Sequence, residues 1–164
     1  MILQQFLKKE NTSETRSKDI YIECLNISKK FLNTDNLLKY NNYKSSFEIV
    51  SILIIFNLKI MKDNKIEDFK NINQYLINTF INDLDESLRA KGIGDMSIGK
   101  YVKSYVKKFY FRLSLFEKND GAVNLTKINS YLKQLDFIED KNIEIVSEKL
   151  LITYNKLTKS SILN

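Results

Sequence analysis

The chain has 164 residues, 43% of them apolar and 28% charged, with no histidine and a single cysteine, Cys24. That length suits one domain, whose core can bury about two thirds of the unfolded surface without disulfide or metal support. The missing histidines remove histidine-based triads, HExxH zinc sites and 2-His-1-carboxylate iron sites, and one cysteine allows neither a CxxC redox pair nor an intramolecular disulfide. With no proline and four glycines, the turns of an all-β fold are excluded in favour of helices. The net charge is +6 and the pI about 9.2, a balance that suits nucleic acid, an anionic membrane surface or an acidic partner. The composition also includes 23 Lys, 21 Ile and 18 Asn against two Ala and three Arg. Residues with A/T-rich codons dominate, so the location of the charge is more informative than its total.

Met1 to Leu7 is apolar, but Lys8, Lys9 and Glu10 follow at once and no small-residue cleavage site appears, so no signal peptide is expected. A mitochondrial transit peptide would be rich in arginine and poor in acids, whereas Glu10 and Glu14 intrude here and Arg16 stands alone. Residues 1–16 read as a polar, mobile lead-in and 17–160 as a helical domain. Ser17 or Asp19 is positioned to cap a first helix running to about Leu32, with Ile20, Cys24, Ile27 and Phe31 on one stripe. Cys24 on that stripe is a small core residue. A linker with Asn33, Asp35, Asn41 and Asn42 follows, containing the short apolar piece Leu37-Leu38-Lys39-Tyr40, and Ser45 or Ser46 is the expected cap of the next helix.

From Phe47 to Met61 the only charges are Glu48 and Lys59, and the apolar residues cover nearly every direction of a helical wheel. Such a helix is a central core helix or a membrane span. Its length is about 22 Å at 1.5 Å per residue, short of the roughly 30 Å hydrocarbon layer, so it is expected to be buried at the centre of the domain. The next helix, from Ile66 to Lys91, carries Ile66, Phe69, Ile72 or Asn73, Leu76, Phe80, Leu84 and Leu88 on one face, and Gly92 stands where a left-handed C-cap belongs. Asp95 or Ser97 can cap a helix to about Lys118, with Ile98, Val102, Tyr105, Phe109, Leu113 and Phe116 facing inward. Asp120-Gly121 marks a turn. Leu125, Ile128, Leu132 and Leu135, then Ile143, Val146, Leu150, Tyr154 and Leu157, suggest two more helices. The fold class is all-α: a single domain of six or seven helices around the central apolar helix at 47–61.

Three of the four glycines fall between Asp83 and Lys100. Gly94 to Lys100 spells GxxxxGK, the opening of a Walker A loop. That motif requires a preceding strand and a following Ser or Thr for magnesium, whereas here the preceding segment is helix-periodic and Tyr101 follows. The segment reads instead as a corner between helices, with Gly92 ending one, Gly94 turning the chain and Gly99 allowing close backbone approach. Asp83, Asp85, Glu86 and Asp95 make this corner acidic, and Arg89 and Lys91 partly balance them. On the helix that follows, Lys100, Lys103, Lys107 and Lys118 lie within about 60° of one another, opposite the apolar stripe, with Tyr110 beside Lys103. A basic face next to an acidic corner can grip a charged partner.

The string Asp83-Leu-Asp-Glu-Ser-Leu-Arg89, then Gly92-Ile-Gly-Asp-Met-Ser-Ile-Gly-Lys100, Val102-Lys103 and Phe109-Tyr110-x-Arg112, resembles the ubiquinol–cytochrome c chaperone family. Leu37-Leu38-x-Tyr40 and Phe47-Glu48 before an apolar helix also fit that family's layout, over about Ser17 to Phe116. Where family members carry glycine, glutamate and often a histidine, this chain has Phe111, Ala90 and Leu53 or a neighbour. The resemblance implies an all-helical assembly chaperone of the cytochrome bc1 complex that binds newly made cytochrome b. It implies no catalytic residue, cofactor, metal or small-molecule substrate. The client-binding candidates are Asp83, Asp85, Arg89, Gly92, Gly94 and Asp95 in the corner, and Gly99, Lys100, Lys103, Lys107, Tyr110 and Arg112 on the helix after it. The ribosome or an anionic membrane surface is a further expected contact, as is a small partner protein or a second copy in a homodimer. The expected location is the bacterial cytoplasm, peripheral to the inner membrane, with the mitochondrial matrix as the alternative. The competing function is a small basic helical nucleic-acid-binding protein, against which stand three arginines and no helix-turn-helix pattern.

Overall fold

The apolar run at 47–61 folds as the interior of a longer helix. The computed structural model describes residues 2–34, 37–40, 42–118 and 121–160, with side chains from residue 12 onward. Among the described residues there are six α-helices and no strand: α1 (Ile2–Leu32), α2 (Tyr43–Asp63), α3 (Phe69–Ala90), α4 (Asp95–Glu117), α5 (Leu125–Leu132) and α6 (Ile143–Leu157). A short 3-10 turn, Asp140–Asn142, leads into α6. Every residue from Phe47 to Leu58 is buried, as are Ile60 and Met61, and α2 packs against α1, α3, α4 and α6. Among the described residues no helix is long and apolar enough to cross a membrane.

The cap of α2 lies upstream of the expected serines. The Asn42 side chain accepts from the backbone N–H groups of Lys44 (3.0 Å) and Ser45 (3.2 Å), and asparagine caps a helix as well as serine does. Ser45 is buried, and its hydroxyl donates to the Tyr40 carbonyl at 2.5 Å. Asp35, Asn41 and Asp120 lie outside the described residues. Within the apolar helix, Asn57 donates to the Leu53 carbonyl at 2.9 Å and to Cys24 Sγ at 3.4 Å, which links α2 to α1.

The region read as a polar lead-in is helical from Ile2, and Ser17 and Asp19 lie within α1 rather than capping it. Ser13 and Ser17 are 4% and 0% exposed. Ser13 precedes Ile20 and Cys24 by seven and eleven residues and Ser17 precedes them by three and seven, so they extend the same helical stripe backwards with small side chains. Small residues at a contact let helix backbones approach closely, and α1 packs along α3 and α2. The Ser17 hydroxyl satisfies itself on the Glu14 carbonyl at 2.7 Å.

Cys24 is fully buried, and burial pushes its thiol from 9.0 up to about 12. At pH 8 a thiol of that pKa is thiolate in only about one part in ten thousand, and thiolate is the reactive form. The native protein is therefore expected to resist labelling by a thiol reagent such as dithionitrobenzoate until urea unfolds it. Rapid labelling of one thiol per chain in the folded state would contradict the burial.

The connection from α1 to α2 is held down by the connection from α5 to α6. Leu38 and Ile138 form an isolated antiparallel bridge, the Lys39 backbone N–H donates to the Phe137 carbonyl at 2.9 Å, and Asn142 Nδ2 donates to the Leu37 carbonyl at 3.3 Å. Leu37, Phe137 and Ile138 are buried beneath it. Asn124 caps α5 by accepting from the Lys127 N–H at 2.9 Å.

Candidate functional site

The glycine-rich segment joins two helices, α3 and α4. The end of α3 is closed by paired bonds: Gly92 N–H to the Arg89 carbonyl at 2.8 Å and Ile93 N–H to the Leu88 carbonyl at 3.3 Å. This is the Schellman arrangement, with Gly92 at φ +87° in the left-handed region. Gly94, extended at φ −72°, is the N-cap of α4 in place of Asp95 or Ser97. Gly99 makes no close approach, since a Cβ there would meet no atom within 4 Å. The two helix glycines should thus respond oppositely to alanine. Gly92→Ala should cost about 1 kcal/mol because its φ is strained for an L-residue. Gly99→Ala should stabilise by about 0.5–1 kcal/mol through helix propensity. Thermal melts of the two variants check the signs.

The acidic candidates do not act as one cluster. The Arg89 guanidinium bonds both Asp85, one turn back on α3, and Asp95 at the start of α4, which clasps the corner shut. Asp83 turns the other way and accepts from the Tyr21 hydroxyl of α1 at 2.6 Å. Burial, and then the Asp83 carboxylate, hold that phenol far above its ordinary pKa, so Tyr21 stays a donor. Asp83 lines an open groove of about 280 Å³ between α1, α2 and α3, together with Tyr21, Leu25, Tyr43, Phe47 and Phe80.

On α4, Lys100, Lys103 and Lys107 are exposed along one face. Apolar groups share the outer surface of the helix: Met96 is fully exposed, Tyr101 46%, Tyr110 48% and Phe111 57%. Arg112 is not part of that free face. Its Nε and Nη2 donate to Glu48 Oε2 and Oε1 at 2.9 and 3.0 Å, and Lys108 Nζ meets Glu48 Oε1 at 2.7 Å. The Glu48 side chain is 4% exposed and that of Arg112 12%, so this is a buried ion pair fastening α4 to α2. Sequence reading missed the pairing. Its signal was an acid at the start of an otherwise apolar helix, which burial obliges to find a cation.

These features define a class, an all-helical scaffold that presents a cationic and aromatic helix face beside an acidic corner. The model of the family described as ubiquinol-cytochrome C chaperone matches residues 39–134, a span from just before α2 to just after α5 that contains the corner and the α4 face. The chain belongs to that family, and its role is that of a chaperone in assembly of the cytochrome bc1 complex. The crystal structure of the Cbp3 homolog from Brucella abortus is similar in fold over 98% of this chain and 90% of that chain, with a TM-score of 0.66 at 23% identity. No curated protein matches the sequence. Nothing in these likenesses supports the nucleic-acid-binding alternative.

Proposed function

We propose that the chain holds newly made cytochrome b during bc1 assembly, without catalysis, and that the outer face of α4 is the main contact. The observation that carries this reading is the coincidence of Lys100, Lys103 and Lys107 with exposed Met96, Tyr110 and Phe111 inside the family-matched segment. A membrane protein awaiting assembly offers both apolar helices and charged loops. An exposed surface that mixes cations and aromatic rings can hold such a client reversibly, since charges steer the encounter and rings supply the contact area. Asp85, Arg89, Gly92, Gly94 and Asp95 then set the angle at which α4 is offered, Asp83 ties α3 to Tyr21 of α1, and Gly99 keeps that face open. The same face suits anionic headgroups, which agrees with a bacterial cytoplasmic protein peripheral to the inner membrane.

The test is the Lys100→Glu/Lys103→Glu/Lys107→Glu variant. Because these side chains are exposed, its stability should stay within about 0.5 kcal/mol of the parent. Its capture of cytochrome b in co-purification should be lost, and capture by the parent should weaken as salt rises from low to physiological strength. A variant that melts normally and still captures cytochrome b in full would move the contact to the groove beside Asp83.

A further inference from the structure

The groove between α1, α2 and α3 has a carboxylate in its wall that meets no cation. Among the described residues Asp83 accepts only from the Tyr21 hydroxyl, through Oδ2 at 2.6 Å, and forms no ion pair, in a chain with 26 lysines and arginines. The nearby acids Asp85 and Asp95 share Arg89 instead. Lys91 lies over the Tyr43 ring, its Nζ 5.0 Å from the centre. An ionised carboxylate accepts at both oxygens, so Asp83 Oδ1 is left for a further donor. A second group in the same wall is also unmatched. Tyr43 Oη is buried without a hydrogen-bond partner, and buried polar atoms are rarely left so. Burial, then Tyr105 and the Asp83 carboxylate, push the Tyr43 phenol up to about 12, so hydroxyl and carboxylate lie within electrostatic reach of each other. The rest of the lining is predominantly apolar and aromatic, with Tyr21, Leu25, Phe47, Val50 and Phe80. Its cation, Lys29, is exposed and stands eight residues beyond Tyr21 on α1, about 12 Å further along the helix axis. The volume of about 280 Å³ falls just below the roughly 300–1,000 Å³ of pockets for drug-sized ligands, which leaves room for one ring system on a short chain.

We infer that this groove binds a small aromatic primary amine as its ammonium ion, the ring among Tyr21, Phe47 and Phe80 and the ammonium donating to Asp83 Oδ1 and Tyr43 Oη. A primary ammonium has three donors, enough for both acceptors at once. A neutral apolar ligand leaves the carboxylate without a counter-charge, and a bare cation leaves the aromatic walls unused. A ligand ring among the wall rings adds tilted or edge-on aromatic contacts to the area it buries. Binding here does not depend on which client the α4 face holds.

The chain has no tryptophan, so indole fluorescence reports on an indole ligand alone. Tryptamine, protonated at pH 7, should gain anisotropy as the full chain is added, saturating at one ligand per chain. Tryptophol, with a hydroxyl in place of the ammonium, should bind about tenfold more weakly, because hydrogen bonds between charged groups are stronger than neutral ones. Indole-3-propionate should show no saturable binding, and methylammonium, the head without the ring, should leave bound tryptamine in place. Asp83→Asn keeps an acceptor for Tyr21 and should lose affinity for tryptamine about tenfold. Tyr43→Phe removes an unpaired hydroxyl, so it should melt no lower than the parent and bind about threefold more weakly. Glu148→Gln, which removes an exposed carboxylate on α6, should bind as the parent does. Equal affinity for tryptophol, saturable binding of indole-3-propionate, displacement by methylammonium, or full affinity in Asp83→Asn or Tyr43→Phe would each overturn the proposal. So would anisotropy that never saturates, or a loss in Glu148→Gln as large as that in Asp83→Asn.

Discussion

Arg112→Leu is expected to lower stability by about 3–5 kcal/mol, because removing one partner of a buried pair strands the other charge. The stranded group is the Glu48 carboxylate, 4% exposed, which would keep only Lys108 at 2.7 Å. Lys108 is about one third exposed, and its remaining contact places the expected loss nearer the lower end of that range. Replacing both members of the pair should be milder than replacing one. The Glu48→Leu/Arg112→Leu variant leaves only Lys108 without its carboxylate, at a position solvent reaches, and well-packed apolar substitutes for buried pairs are often neutral or better. Urea unfolding of the parent, both single variants and the double variant closes a cycle that isolates the coupling. If Arg112→Leu costs less than about 1 kcal/mol, the pair behaves like a solvated surface bridge and its fastening role is refuted. This pair also fixes the rotation of α4, and hence which of its faces carries Lys100, Lys103 and Lys107 outward, the face proposed to meet the client.

Periodicity made the helices legible wherever large apolar residues carried it. Ile72, Leu76, Phe80, Leu84 and Leu88 line the buried side of α3 as their spacing requires, and Ile143, Val146, Leu150 and Leu157 do so on α6. The start of α1 was not legible because its buried stripe is continued by Ser13 and Ser17, which a hydropathy pattern counts as polar. Their phase with Ile20 and Cys24 was the available signal. Gly92 could be read as a C-cap because a left-handed residue after a periodic helix is nearly a glycine position by sterics alone. Gly99 could not, since a helix glycine gives no sign of whether a neighbour approaches it, and here none does. Within the candidate site, the exposed lysines followed from the wheel. The split of the acids between Arg89 and Tyr21 did not, nor did the loss of Arg112 to Glu48. The contacts of Asp83 and Arg112 depend on side chains brought together from far along the chain, 62 residues separating Tyr21 from Asp83 and 64 separating Glu48 from Arg112.

Phe109→Ala should be among the most damaging single changes on α4, with an expected loss of about 3–5 kcal/mol from lost burial and the cavity left behind. The ring is 1% exposed, and its centroid lies 5.1 Å from that of Phe80 on α3. Phe80 in turn lies 6.0 Å from Phe47 of α2 and 6.4 Å from Tyr21 of α1. One row of rings therefore connects all four long helices, and it meets α4 at Phe109 and at Tyr105, whose centroid lies 4.9 Å from that of Phe47. A domain of this size has about 5–15 kcal/mol of stability in total, so the loss is a third or more of a weak domain's margin. Phe109→Leu keeps most of the volume and should cost less than about 1.5 kcal/mol. The ring row also predicts coupling: Phe80→Ala and Phe109→Ala share one contact, so their combined cost should differ from the sum of the single costs by about 0.5–3 kcal/mol. The measurement that separates scaffold from contact is client capture at a temperature where Phe109→Ala is still folded by circular dichroism. Under those conditions capture should equal that of the parent, whereas the lysine-to-glutamate variant, equally folded, should capture none. Impaired capture by fully folded Phe109→Ala would mean that the ring row orients the α4 face as well as holding it in place.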